Sequence, residues 1–261
     1  MNIFKIIQNI EKVDPEVYER LNSRRAIFKH LSSGGLKLAA ASVPVLLGGI
    51  FNKAYGQGSS VPDVLNYALT LEYLEDEFYK MGLAAVTLIP ENRKAIFQQI
   101  SKHEDAHVKF LKSVLTGMSA TPVAKPTFDF TAGGMFADVF TNYQTFLALS
   151  QAFEDTGVRA YKGRAGELAG NDVVLTAALQ IHSVEARHAS MVRRLRAEKG
   201  WITGNSASGL PAPIYAGEDN VTQGGANVTS LGYSAAIATE AFDEPLTPAQ
   251  VLAIADPFIV S

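Results

Sequence analysis

The chain has 261 residues, 47% of them hydrophobic and 19% charged, with a net charge of −3 and no cysteine. A mildly acidic chain without clustered basic residues argues against a nucleic-acid-binding surface. The lack of cysteine removes disulfides, thiolate metal sites and thiol catalysis, and leaves the compartment open.

Residues 1–22 carry a short amphipathic pattern (Ile3, Phe4, Ile6, Ile7, Ile10) interrupted by the helix-start signal Asp14-Pro15. Arg24-Arg25 follows, and then an apolar, small-residue run from Leu36 to Phe51 that ends near Ala54-Tyr55-Gly56-Gln57. An arginine pair ahead of an apolar run too short and glycine-rich to span a membrane resembles a twin-arginine export signal. Residues 1–57 are thus expected to be an export signal and N-terminal extension, giving a periplasmic or otherwise exported protein with no stable membrane span after signal removal. The alternative is a cytoplasmic protein with a buried N-terminal helix behind a surface arginine pair.

Helical spacing of Leu65, Leu69, Leu71, Leu74 and Phe78 predicts a first helix from about Pro62 to Val86. A second helix is predicted from Pro90 to Gly117, carrying Ile96, Ile100, Val108, Leu111 and Leu115 on its period. Residues 118–133, with Pro122, Pro126 and Gly133, read as one long connection. A third helix is predicted from Met135 to Tyr161, broken by the Gly163 to Gly170 region, and a fourth from the N-cap Asn171 to Gly200. The basic stretch Arg193, Arg194, Arg196, Lys199 reads as a helix-dipole and solvent feature. Residues 201–243 read as an extended loop over the bundle. Thr247-Pro248 then opens a short helix whose Val251, Leu252, Ile254 and Phe258 dock back. Helix pair, long crossover, helix pair is the connectivity of an all-α, ferritin-like four-helix bundle, placed at residues 58–200 with residues 201–261 as a C-terminal segment packed on it.

The chemistry lies in a repeat. Glu72 is followed seven residues on by Tyr79, and Glu154 seven on by Tyr161; downstream come Glu104-x-x-His107 and Glu185-x-x-His188. Corresponding positions differ by 82 for the first pair (154 − 72) and by 81 for the second (185 − 104). Glu and His three apart share a helix face and can reach the same or adjacent ions. Four carboxylates converging in a core repel one another, and a pair of divalent cations is the natural compensation. The candidate ligands are therefore Glu72, Glu104, His107, Glu154, Glu185 and His188, holding two Fe or Mn ions with no organic cofactor. A metal-free polar core is the competing reading. Glu75 is a reserve ligand one turn from Glu72, and His182 reads as an outer ligand, a proton carrier or a plain hydrogen-bonded histidine. His103 is expected at the surface or an interface, and Asp76, Glu77 and Asp155 as solvated or outlying carboxylates.

The stretch Leu65-Asn66-Tyr67-Ala68-Leu69-Thr70-Leu71-Glu72-Tyr73-Leu74-Glu75, continuing to Phe78-Tyr79, resembles the first helix of the ferritin-like, desiccation-related family. So does the tail Glu240-Ala241-Phe242-Asp243-Glu244-Pro245-Leu246-Thr247, continuing to Pro257-Phe258. The resemblance implies that Glu104 and Glu185 bridge two metals, that Glu72 and Glu154 cap one each, and that His107 and His188 supply one nitrogen apiece. It also implies Tyr79 and Tyr161 as hydrogen-bond donors to metal carboxylates, with Tyr79 partnering Glu72; core aromatics with satisfied hydroxyls are the other reading.

The expected function is a dinuclear-metal oxidoreductase acting on dioxygen, peroxide or Fe(II) in stress protection, with a catalase-like variant on the same ligands. The substrate pocket is expected to be small, because nothing in the sequence specifies an organic substrate. The other class is a non-catalytic exported stress or scaffold protein with a structural or vestigial metal site. A homodimer is compatible with either, and a storage shell is not expected.

Overall fold

A computed structural model describes residues 60–205 and 209–260, so the expected export signal lies outside the described residues. The described residues fall in one compact unit. Four long helices dominate it: α1 (Val61–Ala84), α2 (Glu91–Gly117), α3 (Tyr143–Ala165) and α4 (Asp172–Leu195). Two short helices follow, α5 (Ala235–Glu240) and α6 (Pro248–Ala255). Strand β1 (Thr127–Phe128) pairs antiparallel with β4 (Ile259–Val260), which ties the crossover to the chain's far end. Strands β2 (Thr222–Gln223) and β3 (Ala226–Asn227) form a hairpin turned by Gly224 and Gly225, both at positive φ as such a turn requires.

Local chemistry sets the helix starts. Ser60 and Asp63 form a reciprocal capping box at α1, Asn142 accepts the Gln144 amide at α3, Asn171 caps α4, and Thr247 with Gln250 boxes α6. The long helices pack most extensively as the pairs α1–α2 and α3–α4. One end of the bundle is filled by aromatics around Phe78, which stacks on Phe146 (4.9 Å) and meets Phe153 edge-on (5.0 Å). The other end is aliphatic, built on Leu65, Leu69, Leu111, Leu115 and Ile181.

Several boundaries differ from expectation. Helix α3 starts at Tyr143 rather than Met135, because residues 131–141 form successive turns, among them Val139 onto Phe136 and Thr141 onto Asp138, and Asn142, in extended backbone, caps the helix by accepting the Gln144 amide. It also runs past Tyr161 to Ala165. The break falls inside the expected Gly163 to Gly170 region, at Ala165, and Gly163 itself is helical; a Cβ there would lie 2.0 Å from the Leu246 carbonyl oxygen, so glycine permits a close crossing. Helix α4 ends at Leu195, with Ala197 at φ +59° turning the chain before Gly200.

The stretch read as an extended loop is structured. It contains 3₁₀ turns at Ala212–Tyr215 and Val228–Leu231, the hairpin and α5. Its anchor is Arg159 of α3, fully buried, which donates to the carbonyls of Glu244 (2.7 Å), Ile214 and Ala216 and pairs with Glu218 at 2.9 Å. Helix α6 docks through Val251, and Phe258 follows it into the core, whereas Leu252 faces solvent. Arg193 is also not a solvent feature. It is buried and forks onto Asp155 (3.0 and 2.5 Å), which in turn accepts from Tyr215 (2.6 Å); Asp155 is thus a paired core carboxylate rather than a solvated one.

Candidate metal centre

Each long helix contributes at least one carboxylate to the middle of the bundle, between the aromatic and aliphatic ends. Glu72 (α1), Glu104 (α2), Glu154 (α3) and Glu185 (α4) are all fully buried. With His107 and His188 they form two overlapping groups: Glu72, Glu104, His107 and Glu185 in one, and Glu104, Glu154, Glu185 and His188 in the other. In each group the donor atoms lie within 4.8 Å of one another, and Glu104 and Glu185 belong to both. Both histidines present Nδ1 inward. That of His107 lies 3.1 Å from Glu104 and Glu185 and 3.2 Å from Glu72; that of His188 lies 2.8 Å from Glu104, 3.3 Å from Glu185 and 3.4 Å from Glu154.

The donors converge on shared points more than they pair with each other. Nδ1 of His188 and oxygens of Glu104, Glu154 and Glu185 are buried without a hydrogen bond of sound geometry, despite those short separations. Orphaned acceptors at this density are what a cation cage presents, and a mixed carboxylate–imidazole set could hold a metal ion. Glu75 is a fifth buried carboxylate on the same side of α1, outside both donor groups. With both imidazoles protonated, five carboxylates still exceed the positive charge by three.

The proton affinities register that excess. Burial, reinforced by neighbouring carboxylates, raises the carboxyls of Glu72, Glu75 and Glu104, the last two well above their usual range. Burial pushes Glu154 up to about 7. Burial acts the same way on Glu185, but the imidazoles of His107 and His188 overcome it and hold this group down at about 2. For His107 burial favours the neutral ring, yet the carboxylates of Glu104, Glu185 and Glu72 raise it to about 12. His188 is raised against its burial, chiefly by Glu154.

The tyrosines act crosswise. Tyr79 of α1 donates to Glu154 of α3 (2.5 Å), and Tyr161 of α3 donates to Glu72 of α1. Tyr79 is therefore not the partner of Glu72. The two pairings match because α1 and α3 run antiparallel, and each phenol sits two turns along from the Glu of its own helix. His103 is not a free surface residue either: its ring stacks on His188 (5.1 Å between centroids), its Nδ1 meets His188 Nε2 at 2.8 Å, and Gln99 holds its other nitrogen at 2.7 Å. His182 stands outside both donor groups, and burial lowers its proton affinity. Asp76 is buried and salt-bridged to Lys80 (2.7 Å), while Glu77 pairs with Lys125.

One contributor escapes the motif reading. Gly157, on α3 between Glu154 and Tyr161, leaves the space Glu75 occupies: a Cβ there would come within 3.0 Å of Glu75 Oε1 and 3.9 Å of Glu185 Cγ. A glycine inside a long helix is costly, which is the signal that marks it.

A family model described as a ferritin-like domain matches residues 60–198, which spans all four long helices and every donor named above. No curated protein matches the sequence. Among the described residues no helix is long and apolar enough to cross a membrane.

Proposed function

The chain belongs to the ferritin-like domain family, and from that premise we propose that it is a dinuclear-metal oxidoreductase acting on dioxygen, peroxide or Fe(II) in stress protection. The observation that carries this reading is the pair of overlapping donor groups sharing Glu104 and Glu185. Glu104 and Glu185 would bridge two Fe or Mn ions, with Glu72 and His107 completing one site and Glu154 and His188 the other. When bound, the metal pair would supply one-electron and two-electron redox chemistry.

The protein's own residues do the rest. Tyr79 and Tyr161 fix one oxygen each of Glu154 and Glu72, leaving the second oxygen to face the centre. His103 holds the outer nitrogen of His188, which sets the ring so that Nδ1 points inward. Burial excludes water from four carboxylates that would otherwise be hydrated. Residues 1–57 support an exported location, tested by fusing them to a reporter and changing Arg24 and Arg25 to Lys.

Metal analysis of protein purified without chelators tests the centre. About two Fe or Mn per chain are expected, lost in Glu104→Ala and Glu185→Ala. Protein that is metal-free, and whose thermal stability does not respond to Fe(II), removes the reading and leaves the non-catalytic stress protein. Peroxide turnover and Fe(II) oxidation assays then divide the catalase-like and oxidase variants.

A further inference from the structure

The aliphatic end of the bundle is not packed solid. A cavity of about 550 Å³ opens there, with walls from all four long helices that include Leu71, Leu111, Ala160 and Ile181. That volume is in the range of small-molecule pockets, roughly 300–1,000 Å³. It is not general looseness, since the opposite end of the same bundle is closed by Phe78, Phe146 and Phe153. Tyr161 forms part of the wall, and its hydroxyl donates to Glu72. The cavity and the candidate metal centre are thus separated by one side chain.

The polar groups around the cavity narrow the occupant. Arg164 lies in the wall, where Glu167 balances its charge: Nε is 3.0 Å from that carboxylate, though without a hydrogen bond of sound geometry, and the guanidinium covers the Tyr67 ring at 5.0 Å. Asp172 stands solvent-exposed at the rim. Tyr67 also lines the cavity, and its hydroxyl is buried without a hydrogen-bond partner. Such a hydroxyl is costly until something supplies the missing bond. Apolar walls without facing atoms likewise forfeit dispersion contacts that a ligand would restore.

We propose that this cavity is a binding site for a neutral aliphatic molecule carrying one hydrogen-bonding group, of the class of a medium-chain alcohol or aldehyde. Its chain lies against the leucine and isoleucine walls, and its polar group bonds to the Tyr67 hydroxyl. As the organic-substrate pocket of the metal centre, the assignment rests on the function proposed above; as a ligand site it stands on the cavity alone.

Calorimetric titration of the full chain with 1-decanol, decanoate and decylamine, in metal-free and metal-loaded protein, tests it. Saturable one-to-one binding of decanol is expected, with both charged analogues weaker. Ala177→Trp on the wall and Thr176→Trp at the exposed rim should each weaken binding about tenfold or more, and Tyr67→Phe should weaken it less. Wild-type thermal unfolding and metal content identify the variants that remain folded. The proposal is overturned if no alcohol binds, if both tryptophan variants bind as wild type does, or if a charged analogue binds best. It also falls if sedimentation shows a dimer that the tryptophan variants break while decanol fails to bind, since a second copy would then cover the exposed Phe110 and Val173 at the rim. Decanol binding without metal uptake upholds the ligand site and removes the metal reading; metal uptake without decanol binding does the reverse.

Discussion

Glu185 and Glu154 belong to one cluster, and the first is held at about 2 while the second is pushed to about 7. In this cluster Glu185 keeps the negative charge: it lies beside both inward imidazoles, and its charge helps raise Glu154, which lies beside one, and Glu104, which lies beside both. Without a metal, protons offset the cluster's negative charge, and this has a definite sign. Native Glu154 keeps its proton up to about 7, whereas the unfolded carboxyl releases it near 4.5; native His107 keeps its proton up to about 12 against 6.5 unfolded. In both intervals the native state binds more protons, so stability falls as pH rises. The metal-free melting temperature should therefore drop between about pH 5 and about pH 9. Metal affinity should climb over the same range, because the ligands bind deprotonated. Unfolding scans with chelator, paired with Co(II) titrations, check both trends, and a metal-free profile that rises with pH contradicts the first. At the same scale, Tyr161→Phe removes the donor that holds Glu72 while keeping the ring. Metal affinity should fall roughly 10–100-fold with the fold intact, read by Co(II) titration and circular dichroism.

At the scale of elements, the repeat placed a Glu and a Tyr on each odd helix, and the helix pairs appeared in the expected order. Periodicity along one helix gives a face, but not the helix it confronts. The donors from Tyr79 and Tyr161 therefore cross between α1 and α3, where a single-helix reading kept Tyr79 with Glu72. The helix does break within the Gly163 to Gly170 region, at Ala165, but Gly163 itself lies inside α3, where the Leu246 carbonyl passes directly over it. Gly163→Ala has no soft side chain to displace, and overpacking of this kind typically costs about 1–3 kcal/mol. A loss at the upper end of that span in chemical denaturation is expected; an unchanged midpoint would show that the strand of chain at Leu246 can lift away freely.

Across the molecule, the C-terminal segment is part of the bundle's structure through buried charges. Arg159 joins three carbonyls and Glu218, and Arg193 joins Asp155 and Tyr215. Removing one member of such a set leaves the others buried and uncompensated. Arg159→Met should cost about 3–5 kcal/mol and should loosen residues 211–246 first, seen as faster proteolysis there. Retained stability with unchanged cleavage would mean that the segment holds on by apolar contact alone.

The sequence by itself determined the four-helix connectivity and the six residues that the fold gathers into a buried Glu/His cluster. Both are written in local spacing: apolar positions at helical period, capping residues, and Glu-x-x-His recurring at matched intervals. Only the tertiary structure decided which tyrosine serves which carboxylate, that His103 backs His188, that Asp155 and Arg193 are buried partners, and that the aliphatic end keeps a 550 Å³ cavity. The physical reason is that spacing records how one helix presents its side chains. Pairings across the bundle, and the volume left between helices, arise from how closely separate elements approach, which residues far apart in the chain settle together.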